Sequence, residues 1–239
     1  MNRSLLRVSF LAVLLSVAFF SCKKSKNSSG NDGRSYFPLQ IGKYVTYKVD
    51  STVWIDSLCK QVNTTSQMRY AIADTFRDNM NRLSYVINVY EMPNSLNAAM
   101  KLQSTIEVTS TPSDLEYVQA QLRFIKLIFP ITAGGVWSGN NLVTTADSDY
   151  TYFSNWNYSY QNYQKSFNNG LANFNNTVSV LEDNDSSATS RTYYKEVYAD
   201  NVGMVYREMT HWTFKRIDDT TVAKCKAGYS VIMRAIDHN

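Results

Sequence analysis

Few residues of this 239-residue chain are of the types that most often carry acid–base or nucleophilic chemistry. The sequence contains two histidines, His211 and His238. His211 lies in the alternating stretch Met209–Phe214, which predicts a half-exposed histidine on a strand. The sequence contains no His-Glu-x-x-His, Cys-x-x-Cys, Gly-x-Ser-x-Gly or phosphate-binding glycine motif. These observations disfavour a zinc enzyme and a serine hydrolase.

Acidic residues form two short clusters, Asp147 with Asp149, and Glu182 with Asp183 and Asp185. Oxygen-rich loops can hold calcium, but neither cluster has the spacing of a calcium loop. We therefore predict exposed polar turns, with no metal and no cofactor. A glycosidase-like pair of carboxylates remains an alternative, because separation in space cannot be read from sequence.

Cys22 follows a segment that is typical of export. Residues 1–7 carry two positive charges and no acid, and residues 8–20 are uncharged. This pattern predicts a secretory signal, and the apolar run is shorter than the roughly 20 residues of a membrane-spanning helix. Ser21 before Cys22 resembles the site cut by the lipoprotein signal peptidase, although the two residues before Ser21 are both Phe. We predict a signal peptide over residues 1–21 and acylation of Cys22; an ordinary secretory signal is the alternative.

Acylation of Cys22 would leave Cys59 and Cys225 as the two remaining cysteines in an oxidising compartment. A disulfide between them is a candidate, and two separate free thiols are the alternative. The bond would bring an early strand beside a late one. In the chain-entropy model, a loop of about 165 residues closed in this way stabilises the fold by about 4–5 kcal/mol.

Residues 23–35 read KKSKNSSGNDGRS and lack large apolar side chains, which predicts a flexible linker after Cys22. The folded domain is then expected over residues 36–239. The formal net charge of the whole chain is +4. The signal peptide contributes +2 and the linker +3, so the net charge of the domain is about −1. This charge disfavours a nucleic-acid partner. The basic residues after Cys22 favour an outer-membrane protein that faces the periplasm over one on the cell surface.

Alternating apolar and polar residues recur along the rest of the chain and predict strands. They favour an all-β domain of about ten strands, built as a single highly curved antiparallel sheet or as a barrel or half-barrel. Leu115–Phe129 is apolar on both faces and ends at Pro130, which predicts one well-covered central strand. The polar residues 182–187 predict a hairpin loop.

Five aromatic residues share even positions and predict a strand with one aromatic face: Tyr150, Tyr152, Trp156, Tyr158 and Tyr160. This face can line a pocket for an apolar ligand or a sugar. Packing of the sheet's core side is the alternative. A tyrosine keeps its polar tip near water, which favours a cleft or rim over a dry core.

Three short segments, Tyr36–Tyr44 (YFPLQIGKY), Phe129–Asn140 and Glu196–Glu208 (EVYADNVGMVYRE), carry a resemblance that covers most of the mature chain. Together they resemble a family of uncharacterised bacterial envelope lipoproteins. Members usually have Gly where Asn201 stands and Leu where Met204 stands. The resemblance implies a β-rich envelope domain and assigns no catalytic residue.

These observations lead to one main functional hypothesis. The chain is expected to be a non-enzymatic envelope lipoprotein, held to the lipid bilayer by acylated Cys22, that binds an apolar ligand or a segment of an envelope protein in a concave sheet face. The first alternative is a structural or interaction module with a fully packed core. The second is a hydrolase that acts on envelope material or glycan.

Overall fold

The computed structural model describes residues 32–92, 99–144, 148–215 and 225–239. The predicted signal peptide (residues 1–21) and Cys22 lie outside the described residues. The compact unit begins at Asp32, ahead of the predicted domain start at Tyr36. Asp32 and Ser35 are tied to this unit, because their carbonyls accept hydrogen bonds from the backbone N–H groups of Ile131 and Asn201. Within the described part of the chain, no helix has the length and apolar character needed to cross a membrane.

The described residues form one antiparallel sheet of twelve strands, which confirms the predicted all-β fold. The order across the sheet is β6-β5-β4-β3-β2-β1-β12-β11-β10-β9-β8-β7. The strands are β1 (Tyr44–Ile55), β2 (Lys60–Arg77), β3 (Leu83–Met92), β4 (Lys101–Ser110), β5 (Asp114–Gln119), β6 (Leu122–Ile128), β7 (Val136–Trp137), β8 (Tyr158–Asn168), β9 (Asn173–Ser186), β10 (Ser190–Ala199), β11 (Gly203–Lys215) and β12 (Cys225–His238). Short 3-10 helices occur at Arg34–Tyr36, Asp56–Leu58 and Ser148–Phe153.

Strands β1 and β12 join the two halves of the sheet at its centre. They pair from Val45 opposite His238 to Trp54 opposite Gly228. Beyond this pairing, a disulfide joins Cys59 to Cys225, whose Cα atoms are 5.0 Å apart and whose separation in sequence is 166. The bond links the β1–β2 connection to the start of β12.

The two end strands of the sheet meet at a seam, so the sheet is nearly closed and barrel-shaped. Ile125 of β6 donates its N–H to the Gly139 carbonyl at 2.8 Å, and the Trp137 indole N–H donates to the Ile125 carbonyl at 2.8 Å. The Tyr160 hydroxyl bonds both the N–H and the carbonyl of Ile128, each at 2.8 Å. Hydrogen bonds from the side chains of Trp137 and Tyr160 therefore help to close the sheet at this seam.

The prediction of a single central strand over Leu115–Phe129 is wrong. The segment is a hairpin of β5 and β6, and β6 is an end strand of the sheet. The chain turns at Ala120 and Gln121, which have positive φ values of 49° and 66°. Neither is the Gly, Asn or Asp that such turns favour, so the sequence carries no turn signal at this point.

The interior of the sheet is rich in tyrosine and contains charge. The largest fully buried side chains include Tyr36, Tyr47, Tyr158, Tyr198 and the acidic Glu196. A buried tyrosine needs a partner for its hydroxyl, and a buried carboxylate needs a cation or several donors. The interior is therefore a polar network set within an apolar core.

Candidate functional site

Four charged side chains from four strands meet inside the sheet and form what we call the buried charge cluster. They are Lys126 of β6, Glu182 of β9, Glu196 of β10 and Arg207 of β11, with exposed fractions of 4%, 3%, 1% and 6%. Charged residues are rarely buried to this extent unless they are paired. Their burial marks this part of the interior as the candidate site.

Glu196 is the centre of the cluster. Its Oε1 accepts hydrogen bonds from Lys126 Nζ at 3.0 Å and from Arg207 Nε at 2.7 Å. Arg207 Nη2 lies 2.5 Å from the same oxygen. The Tyr198 hydroxyl donates to Oε2. Both oxygens of Glu196 are therefore satisfied by protein donors.

Glu182 has a weaker set of partners. Lys126 Nζ donates to its Oε1 at 2.5 Å, and this lysine also serves Glu196. The two carboxylates thus share the ammonium group of Lys126. Arg207, in contrast, donates to Glu196 and not to Glu182.

This difference separates the pKa values of the two acids. Burial raises the pKa of Glu182 to about 7, with a further contribution from the negative charge of Glu196 that Lys126 only partly offsets. Burial also acts to raise the pKa of Glu196, but Arg207 and Lys126 outweigh it and hold that pKa below its usual value. Glu196 is therefore ionised at neutral pH, whereas Glu182 changes charge there.

The tyrosines beside the cluster are neutral. Burial raises the pKa of Tyr158 and of Tyr198 well above the usual value for a phenol, and the neighbouring glutamates raise it further. Arg207 stays charged, because Glu196 raises its pKa against the effect of burial. When Glu182 is protonated, the cluster consequently holds one excess positive charge, and when Glu182 is ionised it is neutral.

A cavity of about 390 Å³ lies against the cluster. This volume falls within the roughly 300–1,000 Å³ of small-molecule pockets. Its polar end is formed by Lys126, Glu182, Arg207 and Tyr158. Most of its wall is apolar or aromatic, and includes Val49, Met68, Leu122, Phe124, Phe153, Trp156, Met209, Val231 and Met233.

Glu196 does not line this cavity. It lines a much smaller one, of about 50 Å³, which also contacts Tyr47 and Tyr198. Arg207 lines both cavities. Glu196 therefore lies behind the cationic side chains that face the larger space.

Three of the five predicted ligand-facing aromatics, Tyr152, Trp156 and Tyr158, line the larger cavity. Tyr150 is half-buried and Tyr160 is buried at the seam, and neither lines the cavity.

The prediction that these aromatics share one strand is wrong. Tyr150 and Tyr152 lie in the 3-10 helix Ser148–Phe153, and β8 begins only at Tyr158. Asn155, with φ of 64°, turns the chain between them. The Trp156 indole N–H donates to the Tyr152 carbonyl at 2.8 Å, which fixes the ring in the wall.

The prediction that Glu182 lies in an exposed turn is also wrong. Strand β9 continues to Ser186, and Glu182 follows Val178 and Val180 on the buried face. That shared alternation was the available signal for an inward-facing glutamate. Asp183 is half-buried and Asp185 is exposed. Asp147 and the side chain of Asp149 lie outside the described residues.

His211 lies on β11, apart from the ion pairs of the cluster. Its Nδ1 is 3.1 Å from the Thr192 hydroxyl, and its ring centre is 5.2 Å from that of Tyr152. Burial lowers the pKa of His211, which favours the neutral ring. His238 ends β12, with its ring centre 6.2 Å from that of Phe174.

Comparison with known proteins assigns no family to this chain. No protein-family model matches it, and no curated protein matches it. One similar solved structure is a protein from Bacteroides fragilis that is described as exported and as having a YmcC-like fold. The two chains are 14% identical, and the alignment covers 84% of this chain and 98% of the other with a TM-score of 0.36. A likeness at this level supports no inference about this protein.

Proposed function

We propose that this chain is a membrane-anchored envelope lipoprotein that binds an apolar ligand inside its curved sheet. The observation that carries the proposal is the cavity of about 390 Å³ with a largely apolar wall. Protein interiors are close-packed and contain few voids larger than a water molecule. A space of this size with an apolar wall favours a binding module over the first alternative, a module with a fully packed core.

The composition of the wall suits an apolar guest. Phe124 and Trp156 offer large flat surfaces, and Met209 and Met233 add flexible side chains that adapt to different shapes. Contact with such a wall contributes roughly 25 cal/mol for each Å² of apolar surface removed from water. The wall alone can therefore provide much of the binding free energy.

A hydrolase is less well supported, although the site holds two carboxylates with separated pKa values. That separation is a pattern of acid–base pairs in enzymes. However, a glycosidase needs both carboxylates at the scissile bond. Glu182 lines the larger cavity, whereas Glu196 lies behind Lys126 and Arg207 with both oxygens occupied. The arrangement favours binding.

The membrane anchor belongs to the same proposal. Its support is the export segment over residues 1–21, Cys22 directly after it, and the resemblance to envelope lipoproteins. Acyl chains on Cys22 would hold the domain at the membrane surface, since each buried CH₂ contributes about 0.8 kcal/mol.

Blocking the cavity tests the binding function. Val231 of β12 lines the cavity, and Ile232, the next residue, does not. Fluorescence titration with N-phenyl-1-naphthylamine should show saturable binding to the full chain and to Ile232→Trp. Val231→Trp should bind the dye at least tenfold more weakly, because the indole fills the space. Circular dichroism checks that both variants fold. Equal binding by all three proteins, or no binding by any, would contradict the proposal.

A further inference from the structure

We propose that the cavity selects an amphipathic anion, whose apolar chain lies along the aromatic wall and whose carboxylate lies at the polar end on Lys126 and Arg207. This inference rests on the proposed function and adds the chemistry of the ligand's headgroup. It follows from which members of the buried charge cluster face the cavity.

The charged groups that line the cavity are two cations and one acid. Lys126 and Arg207 contribute the positive charges and Glu182 the carboxylate. Glu196 does not line the cavity, and its carboxylate accepts hydrogen bonds from Arg207, Lys126 and Tyr198. The space for a ligand therefore meets more positive than negative side chains.

Lys126 retains capacity to bind another acceptor. An ammonium group has three donors, and two of them go to Glu182 and Glu196. The Nζ also lies 5.5 Å from the ring centre of Phe124 and 5.8 Å from that of Tyr158. A carboxylate that approaches through the cavity would meet this lysine beside aromatic faces.

The alternatives for the headgroup are less favourable. A cationic headgroup would face Lys126 and Arg207, and like charges repel strongly where the effective dielectric constant is low. An uncharged hydroxyl could accept a hydrogen bond from either cation but would bring no negative charge to pair with it. A carboxylate would accept charge-assisted hydrogen bonds, which are roughly twice as strong as neutral ones, and would also pair with the cations as an ion.

Glu182 adjusts the charge of the site to the ligand. A ligand carboxylate beside an ionised Glu182 would repeat the repulsion between like charges, so Glu182 takes up a proton from solvent when the ligand binds. Its pKa near 7 makes this uptake inexpensive. The titratable and charged groups that surround it are Lys126, Tyr158, Tyr194, Glu196, Tyr198 and Arg207. The tyrosines have raised pKa values and Glu196 a lowered one, so Glu182 is the group that titrates near neutrality.

Three ligands of equal chain length test the headgroup. Isothermal titration of the full chain at pH 6 with decanoate, decanol and decyltrimethylammonium should give the lowest Kd for decanoate, by at least tenfold. Tighter or equal binding of decanol or of the ammonium compound would overturn the headgroup assignment and leave the apolar cavity in place. Failure of all three, together with failure of the dye to bind, would overturn the proposed function itself.

Glu182→Gln tests the proton uptake with little change in volume. The affinity of the wild-type chain for decanoate should fall by up to tenfold per pH unit above pH 7, because Glu182 must be protonated first. Glu182→Gln should bind decanoate about tenfold more tightly than wild type at pH 8 and should lose the pH dependence. Glu107→Gln, on an exposed position of β4, is the matched control and should behave as wild type. An unchanged pH profile in Glu182→Gln would overturn the inference.

Discussion

At the scale of single residues, Glu182 and Glu196 show how partners decide the charge of a buried acid. Both are fully buried and both contact Lys126. Glu196 also pairs with Arg207 and Tyr198, and these contacts keep it ionised. Glu182 shares its lysine with a second acid, and burial then dominates. The cavity thus borders on a carboxyl group that changes charge near pH 7.

The raised pKa of Glu182 makes stability depend on pH. The folded chain keeps a proton on Glu182 up to about pH 7, whereas the unfolded chain loses it near pH 4.5. The contribution of Glu182 to the free energy of unfolding is therefore fully present below pH 4.5 and is lost as pH rises towards 7. The loss is on the order of 3 kcal/mol. Urea unfolding at several pH values measures it.

Comparison of wild type with Glu182→Gln isolates this contribution from those of Asp183 and His211, whose pKa values are also shifted. The difference in unfolding free energy between the two proteins should shift in favour of Glu182→Gln as pH rises from 4.5 to 7. Glu107→Gln should keep the wild-type slope. A pH-independent difference between wild type and Glu182→Gln would show that Glu182 has an ordinary pKa.

At the scale of elements, alternation of apolar and polar residues was sufficient to predict an antiparallel sheet. The alternation did not reveal the turn at Ala120 and Gln121, because neither residue is of a type that turns favour. It also predicted one strand from Tyr150 to Tyr158, where the structure has a 3-10 helix and a loop before β8. The buried charge cluster was not predicted. Each of its members resembles a surface residue when taken alone, and only the closure of the sheet brings β6 to β9, β10 and β11.

The β5–β6 turn offers a prediction at this scale. Ala120 and Gln121 both adopt left-handed backbone conformations, which cost roughly 1–2 kcal/mol per residue for side chains other than glycine. Asn-Gly is the favoured pair in such two-residue hairpin turns. The double change Ala120→Asn with Gln121→Gly should therefore raise the free energy of unfolding by about 1–2 kcal/mol in urea. Ala120→Val is the opposing control and should lower it. Destabilisation by the Asn-Gly pair would contradict this description of the turn.

At the scale of the whole molecule, closure of the sheet and the cavity are linked. The β1–β12 pairing joins the two halves at the centre, and the Tyr160 contacts with Ile128 help to close the seam on the other side. Residues from both halves then face one interior, such as Val49 of β1 and Trp156 before β8. The proposed binding site is therefore a property of the closed sheet.

Anchoring through Cys22 gives a prediction at the same scale. In a bacterial host that processes lipoproteins, Cys22→Ala should move the chain from the membrane fraction to the soluble fraction, because the acylated residue is lost. Ser21→Ala keeps a small residue before the cysteine and should leave the chain on the membrane. Fractionation and immunoblotting measure the distribution. A Cys22→Ala variant that still sediments with membranes would contradict the lipoprotein assignment.

The most direct test of the binding function is a crystal structure of the chain grown with 10-bromodecanoate. We expect an anomalous bromine signal inside the sheet near Trp156 and Val231, with the ligand carboxylate within hydrogen-bonding distance of Lys126 Nζ. A bromine signal confined to the outer surface, or an interior without ligand at saturating concentration, would contradict the proposed binding function.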